Sequence, residues 1–155
     1  MFFRNEYHFL SNMYPCKVEI IINGQIMQFK CAESAFQAQK NPNLASMFVE
    51  LNGFEAKKLG RKITITSSDW DEKVRLIAME NVLLAKFSQN PLLKEKLLNV
   101  KEPIIEENTW NDTFWGVCNG KGENMLGKIL EKIKLSYLII SFLDKKIIKG
   151  GKKDD

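Results

Sequence analysis

The order of apolar and polar positions predicts one β-hairpin followed by a series of helices. The alternating segments KVEIII and QIMQF flank Asn23-Gly24, a dipeptide that suits a type I′ turn because both central residues need positive φ. Residues 17–29 are therefore predicted to form the hairpin. Short helices are predicted over residues 31–40, 43–52 and 54–61. Ser68 is predicted to cap the longest, central helix, which spans residues 69–89.

The second half of the chain continues the helical pattern after an interruption. A helix is predicted from Asn90-Pro91 to about residue 100, because proline is tolerated at the first helical position. The segment EPIIEE is predicted as a strand, residues 108–124 as a loop, and residues 125–143 as a final amphipathic helix. Strands and helices do not alternate regularly. We therefore predict a mostly helical α+β fold with a small antiparallel sheet, and no doubly wound sheet.

Length, composition and charge fit one globular domain. The chain has 155 residues, 45% hydrophobic and 27% charged. We expect the domain to span residues 1–143 and the Lys-rich residues 144–155 to form a flexible tail. The tail holds five Lys and three Asp and so supplies +2 of the net charge of +4. The nearly neutral body disfavours a nucleic-acid-binding domain, which usually carries a larger and more clustered basic excess.

Cysteine usage and the terminal segments indicate a reducing compartment. The three cysteines are widely spaced and form no C-x-x-C motif, which argues against a disulfide framework and a structural zinc site. The N-terminal segment MFFRNEYHFL has no apolar run long enough for a signal peptide, and residues 135–143 are too short to span a bilayer. We expect a cytoplasmic protein without metal, cofactor or membrane association.

Carboxylates and lysines are the acid/base groups available for chemistry. The single histidine, His8, excludes multi-histidine metal sites and argues against Ser-His-Asp or Cys-His catalysis. In AESAFQAQK, the side chains of Glu33, Gln37 and Lys40 share one helix face. That face is either a solvated polar stripe or the wall of a cleft beside the hairpin. In the second case, the helix dipole keeps the Glu33 carboxylate ionised.

Two further segments carry aromatic residues in unusual places. Trp110, Asp112 and Trp115 lie close together in the loop, and each Trp either anchors the loop to the core or lines a pocket. A carboxylate beside indole faces is typical of a site that stacks a base and stabilises positive charge. Backbone N–H groups at the start of the final helix are candidates to hold a phosphate. Trp70 either packs the start of the central helix or forms a stacking wall.

Taken in order, these segments resemble the YbiA-like family, also called NADAR. The matching pieces are HFLSNMYP, FKCAESAFQAQK, LGRK, DWDEKVRLIAM, AKFSQNPLLKEKLL and NDTFWG with GKGENMLG. Each piece is weakly specific, and their order and spacing along nearly the whole chain carry the resemblance. Two departures are Ser34, where the family often has His, and the text WGVCNGKG, where the family often has a GxGxxG-like pattern.

The resemblance implies a mostly helical α+β fold and a hydrolase. The implied reaction is hydrolysis of the N-glycosidic bond in phosphoribosylamino-pyrimidine intermediates of riboflavin synthesis. Other family members resemble antitoxins that remove ADP-ribose from guanine in DNA. The family's functional positions fall on Glu33, Trp70, Asp112 and Trp115.

The chemistry of such a reaction assigns roles to these residues. Breaking a C1′–N bond builds oxocarbenium-like charge on the ribose, which a carboxylate stabilises, and a carboxylate can also activate water. Glu33 is predicted as the main catalytic carboxylate and Asp112 as the second, with the base unassigned between them. Trp70 and Trp115 are predicted to stack the base or wall the ribose. Further predicted substrate contacts are Asn12 and Gln37, and the cations Lys40, Arg61 and Lys73 for the phosphate.

Three functions stay open at this level. The first is hydrolysis of a small phosphoribosylated pyrimidine amine, which the nearly neutral body favours. The second is removal of ADP-ribose from guanine, which would make DNA a partner. The third is a binding module for ADP-ribose or NAD-like ligands without turnover. The presence of both carboxylates argues against the third, because binding alone needs only stacking and phosphate contacts.

Overall fold

The protein is described by a computed structural model over residues 1–151, and the chain divides into two compact units. Unit 1 comprises residues 1–94 and unit 2 comprises residues 95–155. Helices dominate the secondary structure, and the larger of the two small sheets is an antiparallel hairpin. The predicted α+β class is therefore confirmed.

The hairpin in unit 1 forms where the sequence pattern places it. Strands β1 (Pro15–Ile22) and β2 (Gln25–Cys31) pair antiparallel. Asn23 and Gly24 connect them with φ angles of 50° and 74°. Both residues adopt the left-handed conformation that the predicted turn requires, so the Asn-Gly signal and the hairpin are confirmed.

Unit 1 contains three α-helices, of which the first and third pack on this hairpin and the second packs on the first. Helix α1 (Ala32–Ala38) follows β2 directly, and helix α2 (Gly53–Gly60) begins at a capping box between Asn52 and Glu55. Helix α3 (Arg75–Gln89) packs against β1. Because α1 is packed by β1, β2, α2 and α3, all seven of its residues are buried, polar ones included. The largest fully buried side chains of the unit include Leu10, Phe29, Phe48, Met79 and Phe87.

Two predicted helices of unit 1 take a different form. The helix predicted over residues 43–52 is a shorter 3₁₀ helix (Pro42–Phe48). The first turn of the predicted central helix is a π-helical turn (Trp70–Val74), in which the N–H of Arg75 donates to the carbonyl of Trp70. The capping role predicted for Ser68 is wrong. The wider turn starts from Asp69, whose carboxylate accepts a hydrogen bond from the Ser67 hydroxyl at 3.0 Å.

Unit 2 begins within helix α4 (Pro91–Leu98), which starts at the predicted proline. Its strands, β3 (Glu107–Asn108) and β4 (Val117–Cys118), form a short parallel pair. The strand predicted for EPIIEE is wrong except at its last residue. The N–H of Ile104 donates to the carboxylate of Glu131, and the N–H of Glu106 donates to the side chain of Asn124. Side-chain oxygens thus accept the hydrogen bonds that these backbone N–H groups would otherwise donate to a neighbouring strand.

Helix α5 (Met125–Gly150) is the longest helix, with 26 residues. The prediction that the central helix is longest is wrong, and α5 continues seven residues past its predicted end. No glycine or proline interrupts residues 128–149, and apolar positions recur as far as Ile148. Residues 152–155 of the predicted tail lie outside the described residues, and its flexibility stays a prediction. Within residues 1–151, no helix is long and apolar enough to cross a membrane.

Candidate active site

Glu33 is a buried carboxylate in the first turn of α1. Glu33 as a whole is 8% exposed, and the side-chain amide of Gln37 donates to Glu33 Oε1 at 2.8 Å. The hydrogen bond shows that the two side chains share one helix face, as the sequence pattern predicts. The interpretation of that face as a solvated stripe is wrong for these residues, because both are buried.

Asn12 connects the N-terminal segment to the start of α1. The backbone N–H of Glu33 donates to the carbonyl of Asn12 at 2.9 Å, and the Asn12 side-chain amide contacts the sulfur of Met79 at 3.3 Å. Asn12 Oδ1 and Gln37 Oε1 are both buried, and neither accepts a hydrogen bond from the described residues. A buried acceptor of this kind is costly, so each oxygen favours a ligand that brings an N–H or O–H donor.

Lys40 lies one turn beyond Gln37 in a cluster of mixed charge. Burial is the largest cause that lowers its pKa, and the nearby cations Arg61 and Lys57 lower the pKa further. The carboxylates of Glu33 and Asp71 act in the opposite direction. Two other predicted site residues, Glu33 and Arg61, therefore lie within electrostatic reach of Lys40. An anion bound here would relieve the repulsion between the cations.

Trp70 and Lys73 share the π-helical turn but differ in exposure. Trp70 is buried, and its ring packs on Phe36 of α1 with ring centroids 5.5 Å apart. This contact fits the packing interpretation of Trp70, and its role as a stacking wall stays a prediction. Lys73 is exposed, and its contact with a phosphate also stays a prediction.

The aromatic loop belongs to unit 2, and Asp112 organises it. One carboxylate oxygen, Oδ1, accepts hydrogen bonds from the backbone N–H groups of Phe114 at 3.1 Å and Trp115 at 2.9 Å. The rings of Phe114 and Trp115 meet edge to face, with centroids 4.8 Å apart. Trp110 is 60% exposed, so it neither anchors this loop nor lies in a closed pocket. The catalytic role of Asp112 and the stacking role of Trp115 stay predictions.

The start of α5 is not an open phosphate site. The N–H groups of Met125 and Leu126 donate to the carbonyls of Phe114 and Trp115, at 3.0 and 2.9 Å. The predicted phosphate binding by these groups is therefore wrong, because the aromatic loop already occupies them. The same hydrogen bonds fix the loop against its following helix.

Several buried polar residues escape the predictions from sequence. Lys86 in unit 1 is fully buried, and Glu106 and Asn108 are buried in unit 2. Asn108 links its neighbours: its amide donates to Glu106 Oε2 at 3.2 Å and to the carbonyl of Asp112 at 2.8 Å. No group of three or more His, Cys, Asp and Glu within residues 1–151 is arranged to hold a metal ion.

The loop contacts lead to a test of Asp112. We expect Asp112→Ala to speed the amide hydrogen exchange of Phe114 and Trp115 by about thirtyfold each, because each amide loses its hydrogen bond to a charged acceptor, worth about 2 kcal/mol. Asp112→Asn keeps an acceptor oxygen and should leave both exchange rates near those of the wild type. Exchange followed by NMR measures this difference. If Asn speeds exchange as much as Ala, the charge and not the acceptor oxygen holds the turn.

Comparison with known proteins confirms the resemblance and the fold. The NADAR domain family matches residues 1–136. The NMR structure of the E. coli protein YbiA superposes with a TM-score of 0.75 at 26% identity, over 89% of this chain and 82% of that one. The prediction of a YbiA-like α+β domain is thus confirmed.

The chain is similar in sequence to proteins named as N-glycosidases and to one named as a riboflavin biosynthesis protein. N-glycosidase R617 of Acanthamoeba polyphaga mimivirus is 29% identical over 147 residues, which cover 82% of this chain and 86% of the viral protein. The riboflavin biosynthesis protein PYRR of Arabidopsis thaliana is 34% identical over 90 residues, 54% of this chain and 15% of that protein. N-glycosidase YbiA of Escherichia coli strain K12 is 38% identical over 64 residues, 41% of this chain and 40% of the relative.

Proposed function

Because the chain belongs to the NADAR domain family, we propose that it is an N-glycosidase acting on phosphoribosylamino-pyrimidine intermediates of riboflavin biosynthesis. It hydrolyses the C1′–N bond and releases ribose 5-phosphate. The observation that best supports this proposal is the environment of the Glu33 carboxylate. The buried carboxylate has two unsatisfied acceptor oxygens nearby, on Asn12 and Gln37, and it lies within electrostatic reach of Lys40, which the cation Arg61 also reaches.

The carboxylate supplies what the bond cleavage needs. As the C1′–N bond lengthens, positive charge builds on C1′ and the ring oxygen of the ribose. A buried carboxylate stabilises that charge strongly because little water screens it. Water then adds its oxygen to C1′, one of its protons goes to the departing amine nitrogen, and the other stays on the sugar hydroxyl. Asp112 is retained as the second carboxylate on the sequence pattern alone.

The polar groups around Glu33 fit the two ends of this substrate class. An aminopyrimidine presents several N–H donors, which are the partners that Asn12 Oδ1 and Gln37 Oε1 require. A 5′-phosphate presents the negative charge that Lys40 and Arg61 favour, and the guanidinium of Arg61 suits bidentate contact. The name of the PYRR relative, which matches 90 residues, also favours a riboflavin intermediate over other N-glycosides.

A direct comparison of two substrates tests the proposal. The purified protein is incubated with 5-amino-6-(5-phosphoribosylamino)uracil and, separately, with an ADP-ribosylated guanine oligonucleotide, and the released sugar is quantified. We expect ribose 5-phosphate from the first substrate, with kcat/KM at least about a hundredfold above that for the second. Glu33→Gln is the control with strongly lowered activity.

Each other outcome points to a different function. Release of ADP-ribose alone would overturn the riboflavin assignment in favour of a guanine glycohydrolase. Binding of both compounds without release of either sugar would indicate a binding module and would overturn the enzymatic proposal.

A further inference from the structure

Lys86 of helix α3 is a lysine buried without exposed surface. Its ammonium donates to the backbone carbonyls of Phe9 at 2.7 Å and Ser11 at 2.9 Å. The rings of Tyr14 and Phe87 lie 5.9 and 5.2 Å from the ammonium nitrogen. Lys86 thus holds together two points of the N-terminal segment from a helix more than seventy residues away in sequence.

Packing alone does not account for a charge at this position. A buried ammonium loses its hydration, and two carbonyls compensate only part of that loss. The ionisable side chains described as acting on Lys86 are the thiols of Cys16 in β1 and Cys31 at the end of β2. No carboxylate is among them. An unbranched apolar side chain would fill the same volume without a desolvated charge, but it would remove the ammonium contacts to both carbonyls, of which the Ser11 carbonyl also accepts the N–H of Tyr14 at 3.2 Å.

The segment that Lys86 holds leads directly to the candidate active site. Ser11 precedes Asn12, and the carbonyl of Asn12 accepts the backbone N–H of Glu33 at 2.9 Å. Asn12 also presents one of the two unsatisfied acceptor oxygens. Two contacts in series therefore connect the ammonium to the first turn of α1. A shift of the N-terminal segment would move both the acceptor oxygen and the carboxylate.

We propose that Lys86 is a positioning residue that sets Asn12 and Glu33 in their working geometry by holding the carbonyls of Phe9 and Ser11. The inference rests on the proposed function of Glu33. Lys86 does not touch the substrate in this scheme. Its contribution is the fixed distance between the acceptor of Asn12 and the Glu33 carboxylate, and errors of about 1 Å in such geometry lower rates strongly.

The charge of Lys86 gives this role a pH signature. Burial lowers the pKa of Lys86 to about 8, and the thiols of Cys16 and Cys31 act in the opposite direction. Below that pH the ammonium holds both carbonyls, and above it the neutral amine holds them more weakly, so kcat falls. The free energy of unfolding changes with pH in the direction opposite to kcat. Between about pH 8 and the ordinary lysine pKa of 10.5, the folded state binds fewer protons than the unfolded state, so this group makes unfolding harder as pH rises.

The experiment measures kcat, KM and thermal midpoint from pH 6.5 to 9.5 for the wild type and for Lys86→Met. We expect Lys86→Met to lower kcat about tenfold at pH 7 with KM within about twofold, because geometry and not affinity is lost. The wild type should show a falling limb in kcat near pH 8 that the variant lacks. Lys30→Met, at an exposed position of β2, is the matched control and should match the wild type.

A second measurement keeps the inference testable if catalysis or folding fails. Exchange of the Glu33 backbone amide reports the contact with Asn12 directly, and it should be faster in Lys86→Met but not in Lys30→Met. Wild-type kcat in the folded Lys86→Met variant, or an unchanged Glu33 exchange rate, would overturn the positioning role. If Lys86→Met does not fold, a wild-type kcat that stays constant across pH 8 would also overturn the positioning role. Full activity of Glu33→Gln would instead contradict the proposed function. Because it is measured on a different variant, this failure is distinguishable from a failure of the positioning role.

Discussion

Replacing Glu33 with Gln should lower kcat by about a hundredfold to a thousandfold, as expected when a preorganised charge opposite a developing cation is removed. The substitution keeps the size of the side chain and an oxygen that can accept from Gln37, whose amide lies 2.8 Å from Glu33 Oε1. KM should change by less than about threefold, because the carboxylate acts mainly in the transition state. Release of ribose 5-phosphate from the phosphoribosylaminouracil measures both constants.

A matched substitution separates this effect from a general change in charge. Glu72→Gln makes the same chemical change at an exposed position of the π-helical turn. It should leave kcat and KM at wild-type values. Both variants should keep the wild-type thermal midpoint to within about 5 °C, which excludes unfolding as the cause. Wild-type turnover by Glu33→Gln would show that another group stabilises the sugar cation.

Replacing Gly60 with Ala should lower kcat/KM about tenfold to a hundredfold by acting on the same site through Gln37. A Cβ at position 60 would lie 1.9 Å from Gln37 Oε1 and 2.7 Å from its Cδ, so the Gln37 side chain must move. Its hydrogen bond to Glu33 is then lost. The fold should tolerate the change, because Ala is favoured over Gly in a helix by about 0.5–1 kcal/mol.

Gly150→Ala provides the control for this prediction. Gly150 also lies in a helix, and a Cβ there meets no atom within 4 Å. Its activity should equal that of the wild type. The test compares kcat/KM with the free energy of unfolding in urea for both variants. Equal losses of activity in the two variants, or an unchanged activity in Gly60→Ala, would contradict a role for the Gln37–Glu33 contact.

Local signals explain which parts of the fold were predictable from sequence. The Asn23-Gly24 turn needs positive φ at both residues, and few dipeptides other than Asn-Gly adopt it readily, so the hairpin followed from two residues. The start of α4 followed from Pro91. Glu33 and Gln37 meet because helical residues four apart share a face whatever surrounds them. Each of these features is fixed within a few residues of chain.

Features that depend on distant partners were missed. The π-helical turn at Trp70 shifts hydrogen bonds by one residue, and it spans only residues 70–74, which are too few for a change of apolar spacing to mark it. EPIIEE has strand composition, but the side chains of Glu131 and Asn124 capture its backbone N–H groups. The phosphate site predicted at the start of α5 failed because the aromatic loop folds back onto those N–H groups.

Lys86 is a different case, because a signal was present. Met79, Val82 and Leu83 are buried on α3, and position 86 lies three or four residues beyond the last two. A lysine in line with a buried stripe indicates either a helix end that reaches solvent or a buried charge. Only the fold distinguishes these outcomes, since the carbonyls that receive the ammonium come from residues 9 and 11.

The burial of Lys86 also makes it an intrinsic reporter for chemical labelling. Acylating and reductive-methylation reagents react with the neutral amine of a lysine side chain that is exposed to solvent. The complete burial of Lys86 blocks the access of these reagents in the folded protein. Mass spectrometry of label uptake at Lys86, with exposed Lys30 as the internal reference, therefore measures how often unit 1 opens.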